Sequence, residues 1–73
     1  MAEVKVLSEI NATVWRIEVA PGALVAEGDT LLLLESMKME IPVLAPRQGR
    51  IRAILVAVEE PVREGQPLAV IDG

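Results

Sequence analysis

Apolar residues come in short bursts along this chain, and glycine, proline or paired charges interrupt them every few positions. Val4 and Val6 alternate with charged or polar neighbours, the period of a short strand with one buried face. Thr13 to Val19 mixes apolar and polar residues at strand spacing, and Pro21-Gly22 and Glu27-Gly28-Asp29 then mark turns. Thr30 to Glu35 holds four consecutive leucines, Leu31 to Leu34, and predicts a strand buried on both faces. Glu40 to Ala45 returns, with Pro42 putting that strand at an edge or a bulge. Pro46 to Gly49 reads as a turn, Arg50 to Val58 as a strand, Val62 as a short extended piece and Pro67 to Ile71 as the last strand. No stretch keeps a helical period between helix caps. Short strands between frequent turns predict an all-β sandwich or flattened barrel.

The pattern also repeats. Val25-Ala-Glu-Gly28-Asp-Thr-Leu31 recurs as Val62-Arg-Glu-Gly65-Gln-Pro-Leu68, an offset of 37 residues. The same offset pairs Val14 with Ile51, Ile17 with Ile54, Val19 with Val56, Leu34 with Ile71 and Glu35 with Asp72. Residues 12–35 and 49–72 are therefore two copies of one unit, each too small to close a core, expected to pack about a pseudo-twofold axis. Carried by this offset, position 38 falls on position 1 and just past the end of the chain. The symmetry thus predicts that both termini lie at the pole opposite residue 38.

Length and composition narrow the picture. Seventy-three residues make one domain, 1–73, and a chain this small buries a modest share of its surface, about 60% for a domain of about 60 residues. Apolar residues are 52% of the chain, yet there is one Trp and no Phe or Tyr, so the core must be Val, Ile, Leu and Ala, as short strands prefer. Without Cys or His there can be no disulfide, no thiolate or imidazole metal ligand and no imidazole catalysis. Seven basic against eleven acidic residues leave a net charge of -4 spread along the chain, the wrong sign for nucleic acid. No apolar run approaches the roughly 20 residues that span a bilayer, and the start shows no basic-then-apolar leader, so no membrane is expected. The chain reads as a cytoplasmic domain, or one of an organelle matrix if excised from a longer protein.

Against this background Glu35-Ser36-Met37-Lys38-Met39-Glu40 stands apart. It falls where two apolar runs break, so it predicts a hairpin tip whose lysine amine is held clear of the protein body. Two of the chain's three methionines flank that lysine and suit recognition by a partner. Glu35 and Glu40 read as solubilising cross-strand charges. Met37-Lys38 is not a favoured two-residue turn, which is usually Asn-Gly or Asp-Gly, so a tight turn here requires positive φ at both residues. Trp15 reads as a packing residue on a strand face, and Arg47, Arg50 and Arg52 as solvated charges.

The Met37-Lys38-Met39 motif resembles the attachment site of the biotinyl/lipoyl attachment domains, and the likeness extends over essentially the whole chain. Gly22, Gly28, Gly49 and Gly65 are similar to turn glycines of that family, and Ala45-Pro46 to its Ala-Pro after the returning strand. Ser36 stands where Ala is commoner, Ala12 replaces a Gly, and Glu59-Glu60-Pro61 replaces a Gly-Asp turn. Val19 to Val25 leaves no room for a protruding thumb, so the chain looks like the thumbless type. The resemblance implies a flattened barrel, a barrel-sandwich hybrid of two four-stranded sheets with pseudo-twofold symmetry. It implies that Lys38 is covalently biotinylated, with Met37 and Met39 at the cofactor and Glu35, Ser36 and Glu40 in recognition. A biotin protein ligase would attach the arm, which would carry a carboxyl group between biotin carboxylase and carboxyltransferase sites.

Two other readings belong to different classes. A lipoyl carrier of a 2-oxoacid dehydrogenase complex typically has Asp before and Ala after its lysine, whereas both neighbours here are Met. An unmodified lipoyl-like structural domain would lack the Met-Lys-Met hairpin. An enzymatic reading is excluded on residue types: no nucleophile-base pair is evident, and so small a barrel offers no evident pocket.

Overall fold

In the computed structural model, which describes residues 2–73, the chain forms eight short strands and, among those residues, no helix. They are β1 (Glu3–Leu7), β2 (Ala12–Ile17), β3 (Leu24–Val25), β4 (Thr30–Ser36), β5 (Met39–Leu44), β6 (Gly49–Ile54), β7 (Pro61–Val62) and β8 (Pro67–Asp72). One antiparallel sheet has the order β1-β8-β6-β3 and the other β5-β4-β2-β7. The 37-residue offset carries β1 to β5, β2 to β6, β3 to β7 and β4 to β8, so the two strand orders map onto each other. Each sheet has a central antiparallel pair from one half of the chain, β2–β4 or β6–β8, flanked on both edges by strands of the other half. The two sheets make a flattened sandwich 36 × 18 × 18 Å in extent.

The turns obey the same symmetry. Gly28 N–H donates to Ala45 O (2.9 Å) as Gly65 N–H donates to Ser8 O (2.7 Å). Gly22 N–H donates to Ile51 O as Glu59 N–H donates to Val14 O, both at 2.7 Å. At one pole Ser36 pairs with Met39 across the β4–β5 turn; at the other, Ala2 and Gly73 exchange backbone hydrogen bonds of 3.3 and 3.1 Å. The termini thus stand where the second half would carry its own hairpin turn. Position 1, onto which the offset carries Lys38, lies outside the described residues.

The core lies between the sheets and is built from offset pairs: Val14 with Ile51, Leu31 with Leu68, Leu34 with Ile71 and Val25 with Val62 are all buried. Ser8, the counterpart of Ala45, is buried as well, and its hydroxyl donates to Ile10 O at 2.6 Å. Leu31, Leu32 and Leu34 are fully buried, as the leucine run predicts, while Leu33 is half-buried on the outer face. Pro42 lies on the edge strand β5.

Three features differ from the sequence reading. The strand expected from Arg50 to Val58 ends at Ile54, because Ala57 to Glu60 close a turn (Glu60 N–H to Ala57 O, 3.1 Å). The two-residue strand β3, too short to show alternation, has no counterpart in the sequence reading, whereas β7 matches the short extended piece expected at Val62. The register also slips between Val14 and Arg16 and, at the equivalent place, between Ile51 and Ala53. These bulges put Trp15 and Arg52 in the extra positions and let residues three apart, Val14 with Ile17 and Ile51 with Ile54, face the same core.

Where the halves differ, the backbone shows a cost. Gly22 has φ 94° and its counterpart Glu59 has φ 74°, so a side chain occupies a left-handed position that its mate fills with glycine. That conformation costs an L-residue about 1–2 kcal/mol. Gly49 differs for another reason: a Cβ there would lie 2.6 Å from Ile71 Cγ2 and 2.9 Å from Asp72 O. Its mate Ala12, half-buried, carries a Cβ.

Glu59→Gly is therefore expected to raise stability by about 0.5–1 kcal/mol after the added unfolded-state entropy of glycine, read as a higher melting temperature. Gly49→Ala should lower stability by about 1–3 kcal/mol in urea denaturation, as overpacking does. Adding Ile71→Leu should restore part of that loss, because it removes the branched methyl while leaving the Asp72 carbonyl contact.

Candidate functional site

The β4–β5 hairpin is a two-residue turn. Met37 has φ 53° and Lys38 φ 66°, both left-handed, which is the type I′ geometry that matches the twist of paired strands. Register imposes it: Glu35 pairs with Glu40 and Ser36 with Met39, leaving two residues to reverse the chain. The paired neighbours Leu34 and Ile41 hold that register, since a one-residue slip would turn them out to solvent. The turn is thus dictated by the core below it rather than by its own residues.

Lys38 is exposed at this apex and makes no ion pair among the described residues. Met37 is 92% and Met39 64% exposed, so both thioethers face solvent instead of filling the core. Glu35 and Glu40 are exposed and directly opposite each other, and Ser36 is half-buried beneath the turn. The six residues singled out from the sequence are therefore together at one pole. The two sheets are not closed into a barrel, and the sandwich has a groove, contrary to expectation, of about 430 Å³. It lies between edge strands β1 and β5, lined by Val4 to Leu7 and Ile41 to Leu44, and does not include the amine. A group bound covalently to Lys38 would need only the accessible amine.

Trp15 is the residue whose place the sequence did not reveal. It is 42% exposed in the β2 bulge, with the Arg16 guanidinium 6.0 Å from its ring centre, rather than packed into the sheet. The repeat held the signal, because the offset pairs Trp15 with a charged residue, Arg52, and so with an outward face. Arg50 and Arg52 are engaged rather than merely solvated. Arg50 donates to Gly22 O at 2.9 Å, and Arg52 reaches Glu3 at 2.9 Å and Asp72 at 3.7 Å.

Comparison with known proteins agrees with this geometry. The family model described as "Biotin-requiring enzyme" matches residues 3–71. A biotinylated protein TB7.3 homologue of Mycolicibacterium smegmatis is 50% identical over 72 residues, covering 99% of this chain and 100% of that protein. The biotin-dependent acyl-coenzyme A carboxylase alpha3 subunit of Mycobacterium leprae is 38% identical over 66 residues, covering 90% of this chain and 11% of that subunit. Among solved structures, Kluyveromyces lactis urea carboxylase superposes with a TM-score of 0.93 at 30% identity, over 99% of this chain and 6% of that one. Two interlocked four-stranded sheets, an exposed lysine between methionines and a full-length family match lead to one conclusion: the chain belongs to the biotinyl/lipoyl attachment domain family.

Proposed function

We propose that this chain is a biotin carboxyl carrier, a non-catalytic component of a biotin-dependent carboxylase, and that Lys38 is its attachment site. The observation that carries the reading is the display of one methionine-flanked amine on a strained turn at the pole away from the chain ends. The core's register imposes left-handed backbone at Met37 and Lys38, and the chain fills those positions with two exposed side chains rather than with the Asn-Gly that would relieve the strain. Strain of this kind is characteristic of sites held for function. Relatives named as biotinylated proteins and as a carboxylase subunit support the same choice of cofactor.

The roles of the residues follow from this display. Lys38 Nζ would hold biotin through an amide, made as the amine displaces the adenylate from an ATP-activated biotin carboxyl group, and the lysine would lose its positive charge. When bound, biotin supplies a ureido nitrogen able to take up and release a carboxyl group. The hairpin holds the root of the arm at a defined pole, and Met37 and Met39 give partners an adaptable apolar contact around it. Tethering makes the encounter with a biotin carboxylase site and a carboxyltransferase site intramolecular, at effective concentrations of order mM for short flexible linkers. The carrier delivers, and the chemistry belongs to its partners.

Incubation with a biotin protein ligase, biotin and ATP should add one biotinyl group by mass spectrometry, and Lys38→Arg should abolish that addition while leaving the fold intact. Lipoylation of Lys38 in place of biotinylation would overturn the proposal in favour of a lipoyl carrier. Replacing the turn by Met37→Asn with Lys38→Gly should raise stability by about 1–2 kcal/mol, since Asn-Gly suits a type I′ turn, while removing the acceptor. Thermal denaturation of the double variant beside the wild type checks this.

A further inference from the structure

The groove between β1 and β5 lies between strands that the 37-residue offset relates, so a perfectly symmetric chain would line it equally toward both poles. The actual lining is lopsided: it takes in Leu34 and Ile10 but neither of their counterparts, Ile71 and Arg47. Arg47 stands at the terminal pole, its Nε 3.3 Å from the place a Cβ on Gly73 would occupy. Ile10 belongs to the opposite end, since β2 begins two residues later and pairs Thr13 with Glu35 beside the hairpin. The groove therefore extends toward Lys38 and stops short of the chain ends.

An apolar path joins the groove to the lysine. Alternate residues of a strand share a face, so Met39, Ile41 and Val43 form one row of β5 that starts next to Lys38 and runs into the groove. Ile41 and Val43 are half-buried against the core, and Met39 is exposed at the open end of the row. At the other pole the offset puts Ala2 where Met39 stands. A volume of about 430 Å³ is in the range of small-molecule sites, which are mostly apolar with a few polar groups. The charged groups here come from the β1 side alone: Lys5 and Glu9 line the groove, whereas their counterparts on the β5 side are Pro42 and Pro46. Among the described residues neither Lys5 nor Glu9 makes an ion pair.

We infer that this groove is the resting site of the biotinyl arm borne by Lys38, with the apolar chain along the Met39 row and the ureido ring at the charged wall. Ile41 lies three residues beyond Lys38, about 10 Å along a strand. From the lysine Cα to the biotin ring the arm is about eleven bonds of roughly 1.5 Å, so the groove is within its reach. The ureido group offers two N–H donors and one carbonyl acceptor, which suit the Glu9 carboxylate and the Lys5 ammonium. An arm at rest there is shielded from water between encounters, and a partner's active site has to draw it out. The inference rests on the reading of Lys38 as a biotin acceptor.

The test compares the wild-type chain with Ile10→Arg, which copies Arg47 into the equivalent place and so should fold while closing the lysine end of the groove. Both are loaded by a biotin protein ligase, and loading is confirmed by mass spectrometry. In the wild type, biotinylation should shift the backbone amide NMR signals of Val6, Ile10 and Val43 as well as those of the hairpin. In Ile10→Arg it should shift the hairpin signals alone. Streptavidin captures only an extended arm, so Ile10→Arg should be captured about tenfold faster than the wild type, the factor expected if roughly one arm in ten is free at any moment. Glu9→Ala should be captured faster by a smaller factor, and Leu24→Ala, an exposed apolar residue outside the groove, should match the wild type. Wild-type shifts confined to residues 36–40, or equal capture of wild type and Ile10→Arg, overturns the resting site alone. A wild-type chain that takes up no biotin overturns the acceptor reading and the resting site with it.

Discussion

The rest of this structure depends on burial shared between two halves that cannot bury anything alone. Each half contributes two strands to each sheet, and the core is built largely from residues with a counterpart 37 positions away. Leu31, Leu32 and Leu34 from one half meet Leu68, Ala69 and Ile71 from the other in a single layer, all of them at most 1% exposed. A chain of this size has little apolar surface to spare. Interleaving the halves gives it one continuous core from two small aliphatic sets, without aromatic or disulfide help. The hairpin, its register and the position of Lys38 follow from that packing.

Perfect symmetry would make the two poles alike, so function has to reside in the departures from it. The clearest is topological: one pole is closed by the Met37-Lys38 turn, whereas at the other Ala2 and Gly73 pair without a turn between them. Backbone strain is distributed with similar logic. Met37 and Lys38 hold left-handed geometry at the display site, where the core's register imposes it. Glu59 holds the same geometry with no evident gain, and its mate Gly22 shows what relaxation would look like.

Charge divides the poles as well. Both carry a facing pair of carboxylates, but among the described residues only the terminal pair is bridged from within, by Arg52. An ion pair this exposed contributes little to stability, on the order of 0–1 kcal/mol. Its significance lies in the contrast: the same backbone site presents an arginine at the structural end and a tryptophan at the lysine end.

Much of this was legible in the sequence because it is carried by periodicity. The repeat of Val25 to Leu31 in Val62 to Leu68 predicts the symmetry, the leucine run predicts the buried strand, and Met37-Lys38-Met39 in a break between apolar runs predicts the displayed amine. Composition alone also excludes imidazole and thiolate chemistry. What the sequence could not express was anything that breaks strand alternation or depends on a distant neighbour. The bulges at Trp15 and Arg52 reverse the facing of the residues after them, so Ile17 and Ile54 turn to the core where plain alternation would point them outward. The two-residue strand β3 leaves no period to detect. The pairing of Arg52 with Glu3 joins positions far apart in the chain, and so does the crowding of Gly49 by Ile71. Local pattern determined which residues form strands and which lysine is offered, whereas only the packing of the two halves decided what surrounds it.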